Sequence, residues 1–231
     1  MTKRGKLFEL LDIPKFARPS VSNIAPTPTA SVLIDRLAGK SFMSYGQLWP
    51  HITDVVEGRA DDQALEGWFC AYRDEWKNRN IRDACRLLRD LIGGRGRWYP
   101  ALGRPQSILG VWFRSSIKGV WFFEGKAYAV LVNARKGQLL SRDDVLFLAR
   151  GIYELHCVDD PNDPIPLIID LSEVGDGEGR EARSFIIDVE EAVPYAAFET
   201  SVRRFMEALR IAGVALPAPE TGQILDLFKR R

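Results

Sequence analysis

Apolar positions recur along this chain with two different periods, and the change from one to the other falls near Ser107. From Ser31 to Gly94 the spacing is helical. Val32–Leu37 predicts a short helix stopped by Gly39, and Ser44–Glu57 predicts a second, interrupted at Trp49-Pro50. Asp61 and Asp62 cap a third, which runs to about Asn78 and sets Trp68, Tyr72 and Trp76 at four-residue spacing on one face. A fourth, Asn80–Ile92, stops at Gly93-Gly94. Beyond Ser107 the period becomes two. Ile108–Arg114, Gly119–Glu124 and Lys126–Asn133 are rich in Val, Ile, Trp, Phe and Tyr, with turns at 115–119 and 124–125, which predicts an antiparallel meander. Ser141 and the acids behind it cap a helix reaching about Leu155. Leu167–Leu171 and Phe185–Val189 read as strands, and Pro194 opens a last helix that Gly213 closes.

These elements predict an α+β fold: an N-terminal helical region followed by a β-β-β-α-β-β-α mixed-sheet domain with helices on one face. The boundaries fall at 1–31 (an extended arm), 32–105 (the helical region with an arginine-rich loop), 106–216 (the α+β domain) and 217–231 (a tail). In the arm, Leu7, Phe8, Leu10 and Leu11 form one short apolar helical face. Pro14, Pro19, Pro26 and Pro28 forbid regular structure around and beyond it. Such an arm is either a docking peptide on a tether or a segment packed along its own domain.

Composition narrows the class. A chain of 231 residues with 46% hydrophobic positions buries a sizeable core and is not a disordered tail, a collagen-like repeat or a disulfide-stapled module. Cys70, Cys85 and Cys157 are odd in number, far apart and in apolar settings, so they read as reduced core residues of a cytoplasmic protein. Two histidines, His51 and His156, without a CxxC pair leave no zinc site in the pattern. The basic start is followed by an apolar stretch broken by Glu9 and Asp12, which is not a signal-peptide core. No run approaches the roughly 18–20 apolar residues needed to span a bilayer, so no membrane is expected.

Net charge is +1, but that average hides a polarised chain. Residues 159–200 hold 2 basic and 12 acidic side chains, whereas residues 1–158 hold 24 and 16. The basic excess is concentrated between Arg73 and Arg104, with 9 basic and 4 acidic residues. There Arg82, Arg86 and Arg89 recur at i, i+4 and i+7 opposite Ala84, Leu88 and Leu91. The loop that follows adds Arg95, Arg97, Trp98, Tyr99 and Arg104. Guanidinium groups that hold phosphates, beside rings that stack on bases, make this the candidate nucleic-acid contact. The same pattern also describes a solvated arginine face.

Two enzymatic readings compete with it. Leu167-Ile-Ile-Asp170 and Phe185-Ile-Ile-Asp188 are near copies, each with one carboxylate in an apolar strand. A hairpin pivoting at Gly179 would level Asp170 with Asp188, and a bound Mg²⁺ or Mn²⁺ would relieve their repulsion. Glu173 and Glu190 would complete a metal-dependent nuclease site. Against it, no lysine lies between Lys136 and Lys229, and the first predicted strand carries no acid. The other reading is a thiol enzyme on Cys157 with His156; adjacent residues on a strand would point to opposite faces, and at a helix end sequence does not orient them. On balance the chain is read as a non-enzyme.

The tail carries the sharpest motif. Gln223-Ile-Leu-Asp-Leu-Phe228 resembles the linear motif by which bacterial replication and repair proteins dock on the DNA polymerase sliding clamp. In an extended peptide Leu227 and Phe228 would fill one apolar pocket, Leu225 would lie at its approach, and Gln223 would hydrogen-bond at a separate subsite. Pro217 and Pro219 provide a spacer before it. The resemblance implies an accessory protein of DNA replication, repair or mobility, recruited to a protein partner and contacting nucleic acid. The alternatives are the nuclease and a pure protein-interaction subunit in which the acidic and basic segments meet complementary surfaces.

Overall fold

The run Lys126–Asn133 is apolar at nearly every position, the pattern of a strand covered on both faces, and it forms the middle of the sheet. The computed structural model describes residues 9–16, 46–70, 75–101, 106–113, 117–135, 139–172 and 179–213. Within them the helices are α1 (Asp12–Phe16), α2 (Ile52–Val56, after a 3₁₀ turn at Trp49–His51), α3 (Asp62–Phe69), α4 (Glu75–Ile92), α5 (Arg142–Ile152) and α6 (Tyr195–Ile211). The strands are β1 (Arg97–Pro100), β2 (Gln106–Ile108), β3 (Val111–Phe113), β4 (Gly119–Phe123), β5 (Lys126–Asn133), β6 (Ile165–Asp170) and β7 (Arg183–Ile186). Five of them form one mixed sheet in the order β1-β4-β5-β6-β7, and β2 pairs with β3 alone. Only β5 and β6 run parallel, joined by α5 as the crossover.

The α+β class holds, but the sheet is covered on both faces. Ala129 and Leu131 of β5 share a core with α1, α5 and α6, whereas Tyr128, Val130 and Val132 share one with α2, α3 and α4. The predicted helical region therefore forms the second cover of the sheet. Its predicted border at residue 105 also cuts the sheet, because β1 pairs with β4. Trp98 anchors β1 by burying its indole under the helices, where Gly119 leaves room; a Cβ there would lie 2.4 Å from the ring.

Several boundaries differ for physical reasons. The third predicted helix ends at Phe69, and α4 runs unbroken through Asn78 and Asn80, since asparagine costs a helix only a fraction of a kcal/mol. Trp68 and Trp76 thus belong to different helices. Ile108–Arg114 is not one strand but the β2–β3 hairpin, turned at Leu109 (φ 51) and Gly110 (φ 80). A leucine in the left-handed region gives no turn signal. By contrast β4, β5 and their Glu124-Gly125 turn fall as read, with both turn residues at positive φ. The Ser141 cap of α5 is present as a reciprocal capping box with Asp144. The predicted helix Val32–Leu37 and the residue Tyr72 lie outside the described residues.

The described piece of the arm packs on its own chain, and it is not extended there: α1 runs through Pro14, which falls in the first turn, where a helix has no use for its missing N–H. Leu10, Leu11 and Ile13 are buried with α5 and α6, and Leu10 fills the space that Gly151 leaves open. Arg135, just past β5, reaches Asp12 at 2.8 Å and Glu9 at 2.5 Å. Burial alone would lower the pKa of Arg135, but those two carboxylates outweigh it and raise it.

Candidate functional site

Asp170 ends β6, where the parallel pair β5–β6 presents its carboxyl ends, the usual place for a site in sheets with parallel strands. Its side chain is fully buried. Oδ1 accepts from Asn133 Nδ2 at 2.9 Å and from the Ser172 amide at 3.1 Å. Oδ2 accepts from the Leu140 amide at 3.0 Å and from the Arg183 guanidinium. Four donors fill the lone-pair sites of a carboxylate. Asp170 is thus a tie between β5, β6, β7 and the start of α5, with no oxygen left for a cation.

Asp188 is not near it. In the β6–β7 ladder Leu167 lies opposite Ile186 and Asp170 opposite Arg183, so the hairpin is centred between residues 176 and 177 rather than at Gly179. Ile187 donates to the Pro166 carbonyl, which places Asp188 at the level of Ile165, five residues from Asp170 or about 16 Å along the strand. Asp188 and Glu190 are exposed beyond the end of β7, and Glu173 lies outside the described residues. Among the described residues no three His, Cys, Asp or Glu side chains are grouped to hold a metal ion. The proposed carboxylate pair is therefore corrected: the partner of Asp170 is an arginine.

The thiol pair is inert in a different way. Burial pushes the Cys157 thiol up to about 12, with Asp160 and Asp163 adding to it, and pulls His156 down to about 4. A neutral thiol beside a neutral imidazole whose Nε2 is sealed without a hydrogen-bond partner is no activated nucleophile.

The arginine stripe folds inward onto α3. Arg82 pairs with Glu66, Arg86 reaches Asp62 and Glu66 at 3.3 Å each, and Arg89 reaches Asp62 at 3.0 Å and the Ala60 carbonyl at 3.2 Å. Hydrogen bonds from Arg89, then Arg86, hold the Asp62 carboxyl below its ordinary pKa. Burial alone would lower the pKa of Arg89, and its bonds to Asp62 and Asp90 outweigh that and raise it. Three of the eight nucleic-acid candidates are thus committed to a helix–helix strap, and a fourth, Trp98, is core.

Arg95, Arg97 and Tyr99 remain exposed and close together on or beside edge strand β1, and they make no ion pair among the described residues. Arg97 lies opposite Phe122 and Tyr99 opposite Val120, so these four side chains share one face of the β1–β4 ribbon. Tyr99 meets the Phe122 ring edge-on, centroids 5.3 Å apart. Arg104 and the tail residues Gln223, Leu225, Leu227 and Phe228 lie outside the described residues.

Sequence reasoning missed Asn133, Arg183, Asp62, Glu66 and Phe122. Asp62 and Glu66 carried a signal, since they stand at i, i+4 one helix before Arg82, Arg86 and Arg89 stand at i, i+4 and i+7. Asn133 was also marked, as the one amide closing an apolar strand. Arg183 and Phe122 depend on register, which no local pattern supplies. Against known proteins, the chain matches no family model, no curated protein and no solved structure.

Proposed function

We infer that this is a cytoplasmic accessory protein of DNA replication, repair or mobility, recruited to a protein partner by its tail. The carrying observation is Gln223-Ile-Leu-Asp-Leu-Phe228, which presents glutamine, an aliphatic pair and a terminal Leu-Phe in the order of the sliding-clamp motif. It follows α6, whose apolar side chains Phe198, Val202, Phe205 and Leu209 are already buried in the body, and a proline-bearing spacer. The nuclease alternative loses support, because its two carboxylates lie far apart and one is saturated.

Recruitment is tested by mixing the full chain with a purified bacterial sliding clamp and following co-elution. Co-elution that disappears on deleting Gln223–Arg231 supports the reading, and co-elution unaffected by that deletion refutes it. The second reading, an interaction subunit without nucleic-acid contact, is favoured by the pairing of the arginine stripe with Asp62 and Glu66. It predicts that no DNA binds even at low salt.

A further inference from the structure

We propose that the β1–β4 edge is a binding platform for single-stranded nucleic acid, an inference that rests on the accessory-protein reading and assigns its nucleic-acid contact to a different surface from the arginine helix. Three features converge there. Tyr99 is 51% exposed although it is a large aromatic in a strand, and its ring makes a T-shaped contact with that of Phe122. Arg97 stands on the same face, opposite Phe122, and Arg95 follows from the turn before β1. That turn is held tightly against β4: a Cβ on Gly96 would come within 2.3 Å of the Phe122 carbonyl. The backbone that carries Arg95 is thereby held beside β4.

The chemistry selects the ligand. A half-exposed phenol ring offers an apolar face of base size, and stacking on such a ring tolerates any base. The guanidinium of Arg97, one strand repeat away, and that of Arg95, in the bend before β1, offer phosphate contacts without reading sequence. A duplex does not suit the surface, because its bases are already stacked and the tyrosine has no open base to cover. The arginine helix cannot substitute, since its cations are spent on Asp62 and Glu66. A small site of this kind, one ring and two cations, fits a few nucleotides.

The test uses the full chain and a fluorescently labelled 15-nucleotide oligo-dT, with a duplex of equal length as comparison, read by anisotropy across a salt series. The single strand is expected to bind more tightly than the duplex. Tyr99→Ala is expected to weaken it about five- to a hundredfold, and Tyr99→Phe to retain binding. Arg95→Ala with Arg97→Ala is expected to lower the slope of log affinity against log salt by about 1.4. Arg86→Ala is expected to change neither. Tyr99 is exposed, so its variants keep the fold, and a melting curve verifies that. Absence of single-strand binding at low salt, equal binding of duplex, or a larger loss from Arg86→Ala than from Tyr99→Ala overturns the proposal. Clamp co-elution of the wild-type chain separates the two claims: if it persists while no single strand binds, the platform assignment alone is wrong, and if it is absent as well, the accessory-protein reading fails with it.

Discussion

Asp170 and Arg183 face each other across the β6–β7 ladder and are ion-paired, with the Asp170 side chain fully buried and the Arg183 side chain about one third exposed. Arg183 also donates to the Leu140 carbonyl at 3.2 Å, so the pair clamps the segment leading into α5. Removing the carboxylate leaves the Arg183 charge without its counter-ion and three N–H donors, of Asn133, Ser172 and Leu140, without an acceptor. Asp170→Ala is expected to cost about 3–5 kcal/mol in urea unfolding. Addition of millimolar Mg²⁺ or Mn²⁺ is expected to leave the wild-type melting temperature unchanged. A metal-dependent rise that Asp170→Asn abolishes would restore the nuclease.

The strap between α3 and α4 is a network of partly exposed charges, so its stability effect is small and screened by salt. Arg86→Ala is expected to lower the melting temperature by no more than about 3 °C at low salt, and by less at 1 M salt. Asp62 adds a pH signature. Its folded pKa is depressed, so its contribution is complete above the unfolded value near 4 and is lost as pH falls through the lower folded value. Urea midpoints of wild type and Asp62→Asn should therefore converge below pH 4.

His156 titrates with the opposite chemistry in the range above that. Its folded pKa lies at about 4 because burial disfavours the imidazolium, whereas the unfolded chain takes up the proton near 6.5. Between those values the unfolded state holds more protons, so stability falls as pH drops from 6.5 to 4. The shift from about 6.5 to about 4 bounds that loss at about 3 kcal/mol. The readout is the difference in unfolding free energy between wild type and His156→Leu, constant above pH 7 and moving against the wild type toward pH 4. A difference flat across that range would show that His156 is solvated.

Much of the fold was legible because its signals are local. The turn at Glu124-Gly125, the Ser141 capping box and Pro194 before α6 act within a few residues, and each falls where the pattern puts it. The hairpin register of β6 and β7 was not legible. The resemblance of Leu167–Asp170 to Phe185–Asp188 suggests an alignment, yet pairing is set by the cores on each face and by the intervening loop. A shift of five residues in the pairing exchanged a carboxylate for Arg183 opposite Asp170, and with it catalysis for structure. The arginine stripe failed for a related reason: its periodicity is real, but a helix face pattern does not say whether the opposing charges come from solvent or from a neighbouring helix.

Recruitment through the tail is tested most directly by titrating a purified sliding clamp into the full chain in a calorimeter, beside the variant carrying Gln223→Ala, Leu227→Ala and Phe228→Ala. Saturable heat from the wild type with loss of at least about tenfold in affinity for the variant is the expected result, since hydrophobic anchors of this size dominate short-peptide docking. Equal affinity of the two proteins for the clamp, or no heat from either, would contradict it.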